Sequence, residues 1–162
     1  MIVIVMGVSG SGKSTIGEVL AQRLGWHFYD ADDFHSDAAK DKMKQGIPLN
    51  DADRKPWLHA LQSAIENWLI ADENTVLACS ALKSTYRQIL HSDHPQIKVI
   101  YLKGSWDLIS ERLKHRQNHF MKENLLQSQF DTLEEPTPSE AIYMDASQPI
   151  QVIIQSIISY LE

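Results

Sequence analysis

The chain predicts an α/β fold: a five-stranded parallel sheet with helices on both faces, in three layers. Two observations carry this. Short apolar runs alternate with longer segments whose apolar residues recur at helical spacing. The first apolar run, Ile2 to Met6, also leads directly into Gly7-Val8-Ser9-Gly10-Ser11-Gly12-Lys13-Ser14, which fits G-x-x-x-x-G-K-S/T without a gap. Strand, glycine loop and helix in that order are what a phosphate-binding loop needs. The predicted class is therefore a P-loop NTPase, whose ligands lie beyond the carboxyl ends of the strands.

The elements follow in order. Ile2–Met6 is the first strand. Lys13–Leu24 is a helix with Ile16, Val19, Leu20 and Leu24 on one face and Gly25 as its stop. His27–Tyr29 is a short second strand, and Ala38–Gln45 is helical. Arg54–Ala71 is a helix with Pro56 in its first turn and a stripe of Leu58, Leu61, Ile65 and Leu69. Thr75–Cys79 is the third strand, Lys83–His91 a helix and Ile97–Leu102 the fourth strand. Ser105 caps a helix reaching Arg116. Ala141–Met144 is a weak fifth strand. Pro149–Leu161 closes the chain as a helix packed by Ile150, Ile153, Ile154, Ile157 and Leu161. Asn118–Thr137 reads as the least regular and most polar stretch.

Length and composition bound the function. The 162 residues suit one domain, 1–162, with room for a core. A net charge of −6 argues against general nucleic-acid or membrane-surface binding. The lone cysteine, Cys79, excludes an intramolecular disulfide and fits a reducing compartment; it reads as a buried small residue, not a nucleophile. Met1–Met6 has no basic leader and is expected to be a core strand, and no apolar run is long enough to span a bilayer.

The glycines let the loop backbone fold around an anion, Lys13 reaches the β- and γ-phosphates, and the Ser14 hydroxyl is suited to Mg²⁺. N-K-x-D and D-x-x-G are absent, which argues against a signalling GTPase, and neither the third nor the fourth strand ends in an acid. The acids instead follow the second strand, as Asp30-Ala31-Asp32-Asp33. There one carboxylate can serve Mg²⁺ and another can accept a proton from a substrate hydroxyl; a solvated acidic turn is the plainer alternative. Asp51 or Asp53 can cap the long helix. Arg54 stands at that helix's N-terminus against the dipole, a hint of anion binding. Lys83 and Arg87, four apart, share a helix face after the third strand and suit an anion between them, or else form a solvated face. From Lys103 to Lys122 five Lys/Arg face two acids in an otherwise acidic chain. Arg112 and Arg116 share a helix face before the irregular stretch, which suggests a mobile lid, about 116–137, that brings arginines onto the transferred phosphoryl group. His115 and His119 are four apart, but without H-E-x-x-H or a cysteine pair they are not read as a zinc site.

Together these segments resemble the thermoresistant-type gluconokinases, a family of P-loop carbohydrate kinases with a shikimate- and nucleoside-monophosphate-kinase-like fold. The resemblance runs from MGVSGSGKSTIG through DADDFH, KMKQGIPLNDADRKPWL, CSALKSTYR and RLKHRQNHFM to LLQSQFDTLEEP. It departs after His35, where Ser36 and Ala39 replace the family's usual Pro and Asn. It implies ATP-dependent phosphorylation of D-gluconate on its 6-hydroxyl. It implies ATP and Mg²⁺ on Gly7, Ser9, Gly10, Ser11, Gly12, Lys13, Ser14 and Thr15, with Asp30 near the metal. Asp32 is then the candidate base, with Lys13 and Arg116 also catalytic. His35, Arg54, Lys83, Arg87, His119 and Gln129 would hold the sugar acid, and Arg112 and Gln148 the nucleotide, with adenine at the Asp145–Pro149 turn. A cytoplasmic homodimer is implied too. A kinase of another small hydroxy acid, or an ATP-binding regulator without turnover, remains the alternative.

Overall fold

The computed structural model describes residues 1–115 and 123–162. Five strands form one sheet: β1 (Ile2–Met6), β2 (His27–Asp30), β3 (Thr75–Ala78), β4 (Ile97–Lys103) and β5 (Ile142–Asp145). They run in the order β2-β3-β1-β4-β5 and every pairing is parallel. Parallel neighbours cannot be joined by tight turns, so each connection carries helix: α1 (Lys13–Leu24), α2 (Asp37–Lys44), α3 (Asp51–Ile70), α4 (Ser84–Ile89), α5 (Trp106–Lys114), α6 (Glu123–Thr132) and α7 (Ile150–Leu161).

Strand alternation sorts the core into two sides. Ile2, Ile4 and Met6 of β1 face Trp57, Leu58, Leu61 and Ile65 of α3. Val3 and Val5 point the other way, onto Ile16 and Leu20 of α1 and Ile153, Ile154 and Ile157 of α7. Every residue of β1 is buried, as a central strand covered on both faces must be. The three-layer class is therefore realised as expected.

Local departures have local causes. The long helix begins at Asp51, not Arg54, because Asn50 closes a capping box with Asp53: Asp53 N–H donates to Asn50 Oδ1 at 2.8 Å and Asn50 N–H to Asp53 Oδ2 at 3.1 Å. Arg54 is thus one turn inside the helix, past the strongest part of the dipole. Pro56 lies beyond the first turn, where its missing N–H withholds a hydrogen bond from the Ala52 carbonyl. The stretch expected to be irregular contains α6. Its apolar residues are sparse among Gln, Ser and Asp, but Leu126 packs on Val8, Leu82, Ile109 and Leu113, with Phe130 and Leu133 alongside. Tertiary burial makes this helix where the local pattern is weak. Ser105 and Gly25 cap their helices as the sequence predicts.

Candidate active site

The phosphate-binding loop leaves β1 and enters α1 at the carboxyl end of the sheet's central strand. Gly10 and Gly12 take positive φ of 85° and 97°, conformations costly for any residue with a Cβ. At Gly10 a Cβ would also press to 3.1 Å from Ile109. The loop is braced from two sides. Gln129 of α6 accepts from Ser9 N–H at 2.7 Å and donates to Ser9 Oγ at 3.0 Å. Arg112 of α5 donates to the carbonyls of Gly10 (3.4 Å), Ser11 (3.2 Å) and Ala146. Arg112 thereby ties the loop to the Asp145–Pro149 turn that contains Gln148, and its guanidinium is spent on backbone carbonyls. Thr15 is exposed on the first turn of α1. Ser11 Oγ is buried without a partner among the described residues.

The acidic turn meets the loop directly. Ser14 Oγ donates to Asp30 Oδ2 at 2.8 Å, and Asp30 Oδ1 accepts from Asp32 N–H at 2.9 Å. Two hard oxygen donors side by side suit Mg²⁺, which takes one or two protein oxygens and completes its shell with phosphate and water. Asp32 lines a cavity and keeps part of its surface exposed within it. Desolvation there lifts its carboxyl above the usual range, Lys13 pulls the other way, and Asp30 and Asp33 add repulsion.

That cavity, about 500 Å³, brings together Ser9, Lys13, Asp32, His35, Arg54 and Gln129 of the sequence-predicted residues. His35 is 8% exposed and stacks on Trp57, ring centroids 4.4 Å apart. Its Nδ1 is buried and has no partner among the described residues. Burial, with Arg54 and Lys40 adding repulsion, lowers its pKa to about 4, so the ring is neutral near pH 7. Trp57 is pinned by donating Nε1–H to the Ala31 carbonyl at 2.7 Å. Arg54 rests over the Tyr86 ring, 5.7 Å from its centroid, and donates to the Tyr86 hydroxyl at 3.2 Å.

Two expected ligands are elsewhere. Lys83 is the residue before α4, not a member of it, so the shared helix face with Arg87 does not exist. Its ammonium pairs with Asp51 at 3.0 Å, outside the cavity lining. Arg87 is turned away altogether. It is 5% exposed, donates to the carbonyls of Ala81 (2.9 Å) and Leu82 (3.3 Å), and lies 4.0 Å from Glu140. It lines a second cavity near the starts of β4 and β5. Arg87, expected as a sugar-acid ligand, thus lies outside the lining of the first cavity and braces the loop through its carbonyls. That loop needs holding, because Ala81 adopts a positive φ of 46°. Its neighbours Ser80 and Leu82 line the first cavity. Arg116 and His119 lie outside the described residues.

Comparison with known proteins places the chain. The family model described as shikimate kinase matches residues 9–162. Solved shikimate kinases share the fold alone: that of Aquifex aeolicus is 17% identical at a TM-score of 0.63. Thermoresistant gluconokinase of Escherichia coli is 42% identical over 99% of this chain and 93% of its own length. A probable gluconokinase of Mus musculus is 47% identical over 91% of each chain. This chain belongs to the gluconokinase family. A solved gluconokinase from Sinorhizobium meliloti superposes with a TM-score of 0.87 at 40% identity, covering 98% of this chain and 90% of that one. A sugar kinase from Janibacter sp. gives 0.91 at 42% identity, covering 99% and 93%. Membership makes ATP the phosphoryl donor.

Within this gluconokinase-family site the sequence reading missed Lys40 and Lys44, which line the cavity from α2, and Trp57, which carries His35. The lysines had a legible signal: they are four apart on a predicted helix beside the acidic turn. Trp57 had none beyond its place in the long helix. Cys79 is buried, and burial pushes its thiol up to about 12, which removes it as a nucleophile.

Proposed function

We propose that this protein transfers the γ-phosphoryl group of ATP to the 6-hydroxyl of D-gluconate, giving 6-phospho-D-gluconate and ADP. The observation that carries the reading is one cavity holding the phosphate-loop lysine, a carboxylate whose pKa is raised and a neutral histidine whose Nδ1 has no partner among the described residues, in a chain at least 40% identical to gluconokinases.

The loop amides and Lys13 hold the β- and γ-phosphates. Ser14 and Asp30 would hold Mg²⁺, which supplies charge neutralisation on the phosphate oxygens. The substrate oxygen forms its bond to the γ-phosphorus as the bond to the β,γ-bridging oxygen breaks. Its proton passes to Asp32, whose raised pKa makes it a stronger acceptor than an ordinary aspartate. His35 Nδ1 accepts a hydrogen bond from a sugar hydroxyl, which would satisfy a polar atom otherwise costly to bury. Arg54 faces the acid from α3, Arg112 serves the nucleotide side with Gln148, and Arg116 and His119 would come from the lid. The chain is taken as one catalytic domain, 1–162, acting as a cytoplasmic homodimer on small molecules, with no nucleic-acid or membrane partner. No helix among the described residues is long and apolar enough to cross a membrane.

A coupled assay of ADP release across gluconate, other sugar acids, shikimate and nucleoside monophosphates tests the proposal. Gluconate should give the highest kcat/KM by at least tenfold, a difference of about 1.4 kcal/mol. A higher value for any other acceptor would replace gluconate as the substrate. ATP binding without turnover of any acceptor would favour a regulator.

A further inference from the structure

The cavity is more basic than the chain around it. Lys13, Lys40, Lys44 and Arg54 line it against Asp32 and Asp33, in a protein of net charge −6. Lys13 belongs to the triphosphate and Arg54 is partly engaged by Tyr86. Lys40 and Lys44 have no such engagement: the ammonium group of neither makes a hydrogen bond or ion pair with a described residue. Lys42, between them on α2, behaves differently. It is turned off the cavity and held by both carboxylate oxygens of Asp53, at 2.9 and 3.1 Å.

Two ammonium groups one helical turn apart repel each other, and both open into the same pocket. Lys40 is close enough to Asp32 and His35 to perturb both. Lys44 lies one turn further from the acidic turn, about 6 Å along the helix axis, which is the span of an extended six-carbon chain. A polyol acid with its terminal hydroxyl at Asp32 would therefore extend its carboxylate along α2 toward these lysines.

We propose that Lys40 and Lys44 are the specificity residues of the acceptor site: their ammonium groups take the acceptor's carboxylate and make the pocket select sugar acids over neutral sugars. This rests on the acceptor cavity assigned above and adds the charge that the acceptor must carry. Lys44 is exposed and Lys40 half-buried, and neither belongs to the core, so their replacement leaves the core untouched.

The test compares gluconate with sorbitol, which has the same carbon chain and a hydroxyl in place of the carboxylate, in wild type, K40Q/K44Q and K40R/K44R. In the glutamine pair KM for gluconate should rise about tenfold or more, the loss expected for charge-assisted hydrogen bonds. Kcat and the KM for ATP should stay within about threefold, because only acceptor binding is weakened. Sorbitol turnover should be unchanged, so the preference for the acid falls, and the arginine pair should restore it. A gluconate KM within twofold of wild type in K40Q/K44Q, or equal losses for both acceptors, overturns the proposal. If wild type does not use gluconate, the function proposed above fails, while the lysines are judged on the acidic acceptor that the panel identifies. A neutral preferred acceptor overturns both. Equilibrium dialysis with labelled gluconate makes the same comparison without turnover, and equal binding by wild type and K40Q/K44Q counts against the lysines.

Discussion

Two cavities of about 500 Å³ each hold an arginine, and the two arginines have opposite surroundings. In the front cavity, at the carboxyl ends of the strands, Arg54 leans on a tyrosine ring and, among the described residues, its guanidinium donates only to the Tyr86 hydroxyl. In the rear cavity Arg87 is buried and spends its guanidinium on two backbone carbonyls and a distant glutamate. Desolvation lowers the Arg87 pKa, with Glu140 and Glu134 opposing. The same residue type is thus a candidate ligand in one place and a brace in the other. What separates them is where the neighbouring carbonyls lie, because an arginine beside unpaired carbonyls is consumed by them.

The largest expected effect tests the front cavity at its phosphate loop. Lys13→Ala should lower kcat/KM by several powers of ten, each about 1.4 kcal/mol of transition-state stabilisation, with the circular dichroism spectrum unchanged. Near-native turnover would remove the loop from the reaction. Next comes Asp32→Asn, which should depress kcat by roughly 10²–10⁴ while ATP affinity holds, since the loop and Asp30 are intact. Equal loss of ATP binding and turnover would move Asp32 to the metal.

The arginines themselves sharpen the comparison. Arg87→Ala removes hydrogen bonds from a charged donor to two buried carbonyls and should cost about 1.5–3 kcal/mol of stability in chemical denaturation. Arg54→Ala should leave stability nearly unchanged and raise the gluconate KM by about tenfold. An Arg87→Ala protein as stable as wild type, with only its gluconate KM raised, would return Arg87 to the acceptor site.

The smallest effect is electrostatic. His35 has a folded pKa of about 4 against 6.5 for the free side chain, so the unfolded chain binds the extra proton between those values. Its contribution to stability is complete above about pH 6.5 and is lost as pH falls toward 4. Lys40→Met removes one of the cations that hold the pKa down, and an NMR titration of the ring should move upward. No movement would place Lys40 farther from the acceptor end of the cavity.

The sequence by itself determined the alternating strand-helix order, the phosphate loop with Lys13 and Ser14, and the acidic turn after β2. These are local: a glycine pattern, a run of apolar residues and a cap are read within a few positions of themselves. It also carried Asp32 and His35 into the candidate site, because they sit in the segment that leaves the carboxyl end of β2, and Arg54, as a cation near a helix N-terminus. Only the tertiary structure decided the rest. Helix α6 exists because Leu126 and Phe130 find a buried surface supplied by distant segments, Val8 and Leu113 among them. Arg87 turns inward because the strained Ala81 loop presents carbonyls to it. Lys40 and Lys44 join the site because α2 presents that face to the cavity, while Lys42 stands on another face and pairs with Asp53 of the next helix. Spacing along the chain shows which residues share a helix face; the direction that face points is set by packing between residues far apart in sequence.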